Sequence, residues 1–145
     1  MKTRSLLTLV LAFAAAAAAG AADKIVAGPK GGRLLATEPH AAEFFVTAER
    51  KAEITFYDAA GQPVARGAQA VTVTAEPAGG RARVELVPTP HGFVSVAPLP
   101  EGGPYRVVVQ VRATPEARLQ NFRVDLNTEV CGGCDRAEYA CTCEH

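Results

Sequence analysis

Four cysteines and a histidine crowd the last stretch of this chain: Cys131-Gly-Gly-Cys134-Asp-Arg-Ala-Glu-Tyr-Ala-Cys141-Thr-Cys143-Glu-His145. The chain has 4 cysteines in all, so every thiol lies here. In a C-x2-C with two glycines between, the backbone can curl until both sulfurs face one point. In an extended C-x-C-x-H, side chains 141, 143 and 145 share one face, because the strand period is two. The intervening DRAEYA predicts one to two helical turns with Asp135 as cap, which would bring the halves together. Cys131, Cys134, Cys141, Cys143 and His145 are therefore candidate metal ligands. Thiolates select soft or borderline ions such as Cu(I), Zn(II) or Cd(II).

The same residues admit other chemistry. In an exported protein an even set of cysteines commonly forms disulfides, and four allow three pairings. A bond within C-x-C is strained, so cross-pairing between the two halves is the expected disulfide form. A redox C-x-x-C normally sits at a strand-to-helix junction of a βαβ fold, which this chain does not predict. His40 and His91 lie in loop-like segments, with no ligand spacing around them. The chain holds no G-x-S-x-G, no Gly-rich phosphate loop and no H-E-x-x-H, so no enzyme is expected. Lys plus Arg and Asp plus Glu balance at 15 each, which implies no basic face for nucleic acid.

The compartment decides how thiols are read. Lys2 and Arg4 precede an uncharged run from Leu6 to Gly20, Leu-rich and then nearly pure Ala. A basic start, a short apolar middle and small residues at the end describe a secretory signal peptide over residues 1–22. Cleavage is expected after Ala22, or alternatively after Ala21. The run falls short of the roughly 20 residues a bilayer span needs. No cysteine follows the small residues, so no lipid anchor is expected. The mature protein is thus expected to be periplasmic or secreted, with no membrane span, in an oxidising compartment.

Residues 33–127 must position the tail, and their pattern is that of strands. Ala52, Ile54 and Phe56 alternate with Glu53, Thr55 and Tyr57; Val71, Val73 and Ala75 with Thr72 and Thr74. The same period of two runs through 82–86, 105–112 and 122–126. The 13 glycines and 10 prolines punctuate these runs. Turns are expected at Asp58–Gly61, Pro77–Gly80 and Pro88–Gly92. Leu99-Pro-Glu-Gly-Gly-Pro-Tyr105 suggests a tyrosine corner, its phenol bonding back to upstream backbone. The expectation is an all-β fold: an immunoglobulin-like antiparallel β-sandwich of about seven to nine short strands. Residues 23–32 read as a flexible leader, and 128–145 as a small Cys-rich tail that the sandwich does not need in order to fold.

Residues 28–64, GPKGGRLLATEPHAAEFFVTAERKAEITFYDAAGQPV, resemble the N-terminal β module of periplasmic adaptor subunits of heavy-metal efflux pumps. The chain is also similar to small exported bacterial β-domain proteins with a Cys-rich ending. Lys30 stands where the adaptor pattern has His, and the adaptors' hairpin and barrel are missing. The resemblance implies a setting in metal homeostasis. The expected function is an exported protein binding a metal ion, Zn or Cu(I). The alternative is a non-enzymatic module, stapled by disulfides, that docks onto an envelope protein partner.

Overall fold

The structure, a computed structural model, describes residues 24–144. The expected signal peptide and His145 lie outside the described residues. Ten strands follow in order: β1 (Val26–Ala27), β2 (Arg33–Leu35), β3 (Ala41–Val46), β4 (Ala52–Tyr57), β5 (Ala70–Glu76), β6 (Ala82–Val84), β7 (Leu86–Thr89), β8 (Gly92–Ser95), β9 (Tyr105–Arg112) and β10 (Gln120–Leu126). Among the described residues one 3-10 turn, Glu138–Ala140, follows the strands. All pairing is antiparallel, in a six-stranded sheet β1-β2-β3-β4-β8-β7 and a four-stranded sheet β10-β9-β5-β6. Among the described residues no helix is long and apolar enough to cross a membrane.

The two sheets share one apolar core. Phe44, Ile54 and Phe56 enter it from the larger sheet; Val73, Val107, Val109 and Val124 enter from the smaller. β9 shows the logic plainly: Tyr105, Val107, Val109 and Val111 are buried, while Arg106 is exposed and Val108, Gln110 and Arg112 are half-buried. Each buried Val, Leu, Ile or Phe stabilises by about 1.5–3 kcal/mol relative to exposure.

The strands depart from the expected pattern in three places. The 82–86 run is not one strand. Ala82 and Val84 pair with β5, whereas Leu86 pairs with Ser95 of β8, so the chain changes sheets at Glu85. Pro88 belongs to β7 and faces Phe93; the loop proper is Pro90-His91. A proline is tolerated there because β7 is an edge strand. The third departure is β4, both of whose faces are covered: Thr55 and Tyr57 are as sequestered as Ile54 and Phe56.

What covers the outer face of β4 is the segment expected to be a flexible leader. Val26 and Ala27 pair with Leu34 and Arg33, and the following loop folds over Glu43 of β3, which is 0% exposed. The Glu43 carboxyl accepts the N–H of Lys30 at 3.0 Å, the N–H of Gly32 at 2.8 Å and the Tyr57 hydroxyl at 2.9 Å. Lys30 Nζ pairs with Glu53 beside it. The leader is therefore part of the sheet, held by a buried acid both of whose oxygens are engaged.

The turns that keep to expectation do so for clear reasons. Asp58 accepts from Gly61 N–H at 3.0 Å, and Gly61 has φ +74°, a left-handed conformation that only glycine adopts without penalty. Pro77 to Gly80 joins β5 to β6. At the start of β9 the Tyr105 hydroxyl donates to Pro100 O at 2.6 Å, the local geometry of a tyrosine corner.

Candidate metal centre

Past Leu126 the chain folds back on itself. Tyr139 N–H donates to Asn127 O, Glu138 N–H to Glu129 O, and Cys131 N–H to Arg136 O, at 3.0, 2.8 and 2.7 Å. Val130 and Ala137 form an antiparallel bridge. This narrow double-back delivers Tyr139 to the core, where it is 4% exposed and meets the Phe44 ring edge-on, centroids 5.8 Å apart at 80°. Its hydroxyl accepts the Val46 N–H at 2.9 Å. Ala140 beside it is fully buried. The tail is thus docked on the core through its own apolar plug.

Docking fixes where the sulfurs go. Cys131 lies at one end of the bridge, and Cys141 directly follows the plug with an extended backbone, φ −68° and ψ 130°. The Gly132-Gly133 turn returns Cys134 toward them. Gly133 is required by space: a Cβ there would stand 2.9 Å from Cys143 Sγ. All four Sγ atoms lie within 4.8 Å of one another. Cys131 to Cys141 is 2.8 Å, Cys134 to Cys141 is 3.5 Å, and Cys131 to Cys143 is 4.0 Å. Four sulfurs at about 2.3 Å from a tetrahedral Zn(II) would be about 3.8 Å apart. The latter two separations bracket that value. The first is shorter than it and longer than a covalent S–S bond of about 2.05 Å.

The electrostatics are those of a thiol cluster awaiting positive charge. The Arg136 N–H aimed at Cys134 Sγ, helped by the neighbouring thiols, lowers the Cys134 pKa to about 6. Sharing its proton with Cys131 raises Cys141 to about 12, and the contact with Cys134 raises Cys143. Thus Cys134 carries charge easily while Cys141 and Cys143 hold their protons. A bound cation would remove that conflict by displacing the protons.

Cys131, Cys134, Cys141 and Cys143 are therefore brought together as the spacing suggested. His145 lies outside the described residues. His40 and His91 join no metal-capable group among the described residues; His91 Nδ1 instead contacts Val64 O at 2.9 Å. The linker forms one 3-10 turn instead of one to two helical turns. Asp135 is not its cap: it takes φ +55° to turn the chain after Cys134, and the turn has no side-chain cap. Sequence reasoning missed the anchoring role of Tyr139. Its signal was present as the one large apolar residue among small and charged neighbours.

Comparison with protein-family models, with curated proteins and with solved structures returns no match.

Proposed function

We propose that this chain is an exported, non-enzymatic metal-binding protein: an immunoglobulin-like β-sandwich whose tail holds one soft ion through Cys131, Cys134, Cys141 and Cys143. Zn(II) fits a complete tetrahedron of sulfurs, and Cu(I) would use two or three of them. The carrying observation is the mutual convergence of all four sulfurs within 4.8 Å. Two independent disulfides would require only two close pairs. The likeness of residues 28–64 to the adaptor module supports a role in periplasmic metal homeostasis or efflux.

One observation favours a second reading. The 2.8 Å contact of Cys131 with Cys141 is the approach from which a cross-paired disulfide would form, leaving Cys134 beside Cys143. The product would be a stapled module for docking on an envelope protein. Intact mass of the non-reduced protein, purified from the exporting compartment, separates the two. The metal reading expects one ion and four thiols titratable after chelation. A mass four hydrogens below the reduced chain, with no ion taken up after reduction, would overturn it.

A further inference from the structure

The four sulfurs are not equivalent. Cys131 is 0% exposed and Cys141 is 5% exposed, whereas Cys134 and Cys143 are half-buried. The buried pair is tied to the domain. Cys131 is held by its N–H to Arg136 O and by the neighbouring bridge, and Cys141 by the Tyr139-Ala140 plug in the core. The other pair rests on less. Cys134 ends a Gly-Gly turn whose glycines are both exposed, and Cys143 lies between exposed Thr142 and Glu144. The tail's charge is unbalanced in sequence: Glu129, Asp135, Glu138 and Glu144 stand against Arg136. A set of four thiolates around a divalent ion is itself a dianion, and these carboxylates add to its charge.

We propose, resting on the metal-binding reading above, that the centre is a transfer site: the ion is retained by Cys131 and Cys141 and handed to a thiol-bearing acceptor that enters past Cys134 and Cys143. Cys134 and Cys143 are half-buried, so two of the four sulfurs stand where an incoming ligand can reach the ion. The exchange is associative and involves no redox change. A metal–sulfur bond to the acceptor forms as the bond to Cys143 breaks, a second forms as Cys134 leaves, and the bonds to Cys141 and Cys131 break last as further acceptor thiols replace them. The proton lost by the first incoming thiol is taken up by the departing Cys143, and those lost later pass to the other departing cysteines or to solvent. Displacement begins at this pair because an acceptor cannot approach the ion from the buried side.

The test loads the full chain with Cd(II), whose sulfur charge-transfer absorbance reports its ligands, and follows loss of that band on adding glutathione or a Cys-Gly-Gly-Cys peptide. The rate is expected to rise in proportion to acceptor concentration. Cys143→Ser and Cys134→Ser should still bind one ion and exchange about tenfold faster, equivalent to about 1.4 kcal/mol in the barrier. Cys131→Ser and Cys141→Ser should lose most of the affinity. Iodoacetamide footprinting of the loaded wild-type protein, which needs no variant to fold, should label Cys134 and Cys143 before the buried pair. Response to glutathione assigns a free thiol as acceptor, and response to the peptide alone assigns a protein thiol. A rate independent of either acceptor, or equal labelling of all four cysteines, overturns the transfer site while leaving metal binding intact. Failure of the wild-type chain to take up Cd(II) after reduction overturns both.

Discussion

Two polar clusters interrupt the apolar interior, and they are built in opposite ways. Around Glu43 the chain supplies one acid and donors to match: two backbone N–H groups and a tyrosine hydroxyl. The cysteine cluster gathers four groups of the same kind, and charge on one opposes charge on the next. The first is complete with protein atoms and acts as architecture, fastening the N-terminal strand over β4. The second would be relieved by a cation from outside. A buried polar cluster whose donors and acceptors balance internally is a fastening, and one that crowds like groups around a point is a site.

The largest effect should come from breaking the first cluster. Glu43→Ala leaves the N–H groups of Lys30 and Gly32 and the Tyr57 hydroxyl without their acceptor. At about 1–3 kcal/mol per orphaned buried group, the loss should be about 3 kcal/mol or more. Urea unfolding measures it as a shift in midpoint. A loss under about 0.5 kcal/mol, as at an ordinary surface site, would mean the leader is not fastened there. Metal should rescue none of it, because the two clusters are anchored separately.

The next effect tests whether the tail's base belongs to the core. Tyr139→Ala removes a 4%-exposed ring against Phe44 and should cost about 3 kcal/mol, at the lower end of large aromatic truncations. Tyr139→Phe keeps the ring and removes only the acceptor for Val46 N–H, so it should cost about 1 kcal/mol. Both measurements belong on metal-free, reduced protein. Equal costs would show that the hydroxyl, and not the ring, holds the tail.

How much of this was legible in the sequence follows the same division. Period-two alternation gave the buried faces of β5, β9 and β10, because a strand with one wet face writes its burial into residue type. The cysteine spacing gave the membership of the site, since C-x2-C and C-x-C each constrain two sulfurs locally. Alternation could not reveal that Thr55 and Tyr57 are buried, because both residue types serve equally well at a surface. Glu43 was unreadable for the same reason, because a buried acid looks like an exposed one until its donors are found. The break at Glu85 was hidden since a strand that changes sheets keeps its alternation while changing partners.

Titration should move the clusters in opposite directions. Burial, and then the bond to Glu43, raise Tyr57 to about 12 from an ordinary value of 10.0. Unfolded chains ionise this phenol first. Its contribution to stability is therefore full below about pH 10 and lost as pH rises toward about 12. Tyr57→Phe should flatten that part of the stability profile. Metal affinity should instead rise with pH through the neutral range, since each ion must displace thiol protons. Isothermal titration in buffers of different ionisation enthalpy would count the protons released. Zero protons released per ion would contradict binding by the protonated thiols Cys141 and Cys143.

The smallest effect on stability should come from Gly133→Ala, and it is the most discriminating. Gly133 is exposed and has no positive φ, so an added methyl meets no backbone strain. Its nearest neighbours belong to two cysteines: Cys143 Sγ at 2.9 Å and Cys143 Cβ at 3.8 Å from the new Cβ, and Cys131 Sγ at 4.0 Å. Cys143 must therefore give way while the sheets feel nothing. Unfolding of the metal-free chain should change by less than about 0.5 kcal/mol. Affinity for Zn(II), read by competition with a chromophoric chelator, should fall about tenfold, the scale on which metal sites respond when a supporting contact is disturbed. Gly132→Ala is the matched control, because a Cβ there meets nothing within 4 Å. If both alanines leave affinity unchanged, Cys143 is not a ligand and three sulfurs hold the ion. If both lower it equally, the Gly-Gly turn acts through its flexibility and not through the space it leaves for Cys143.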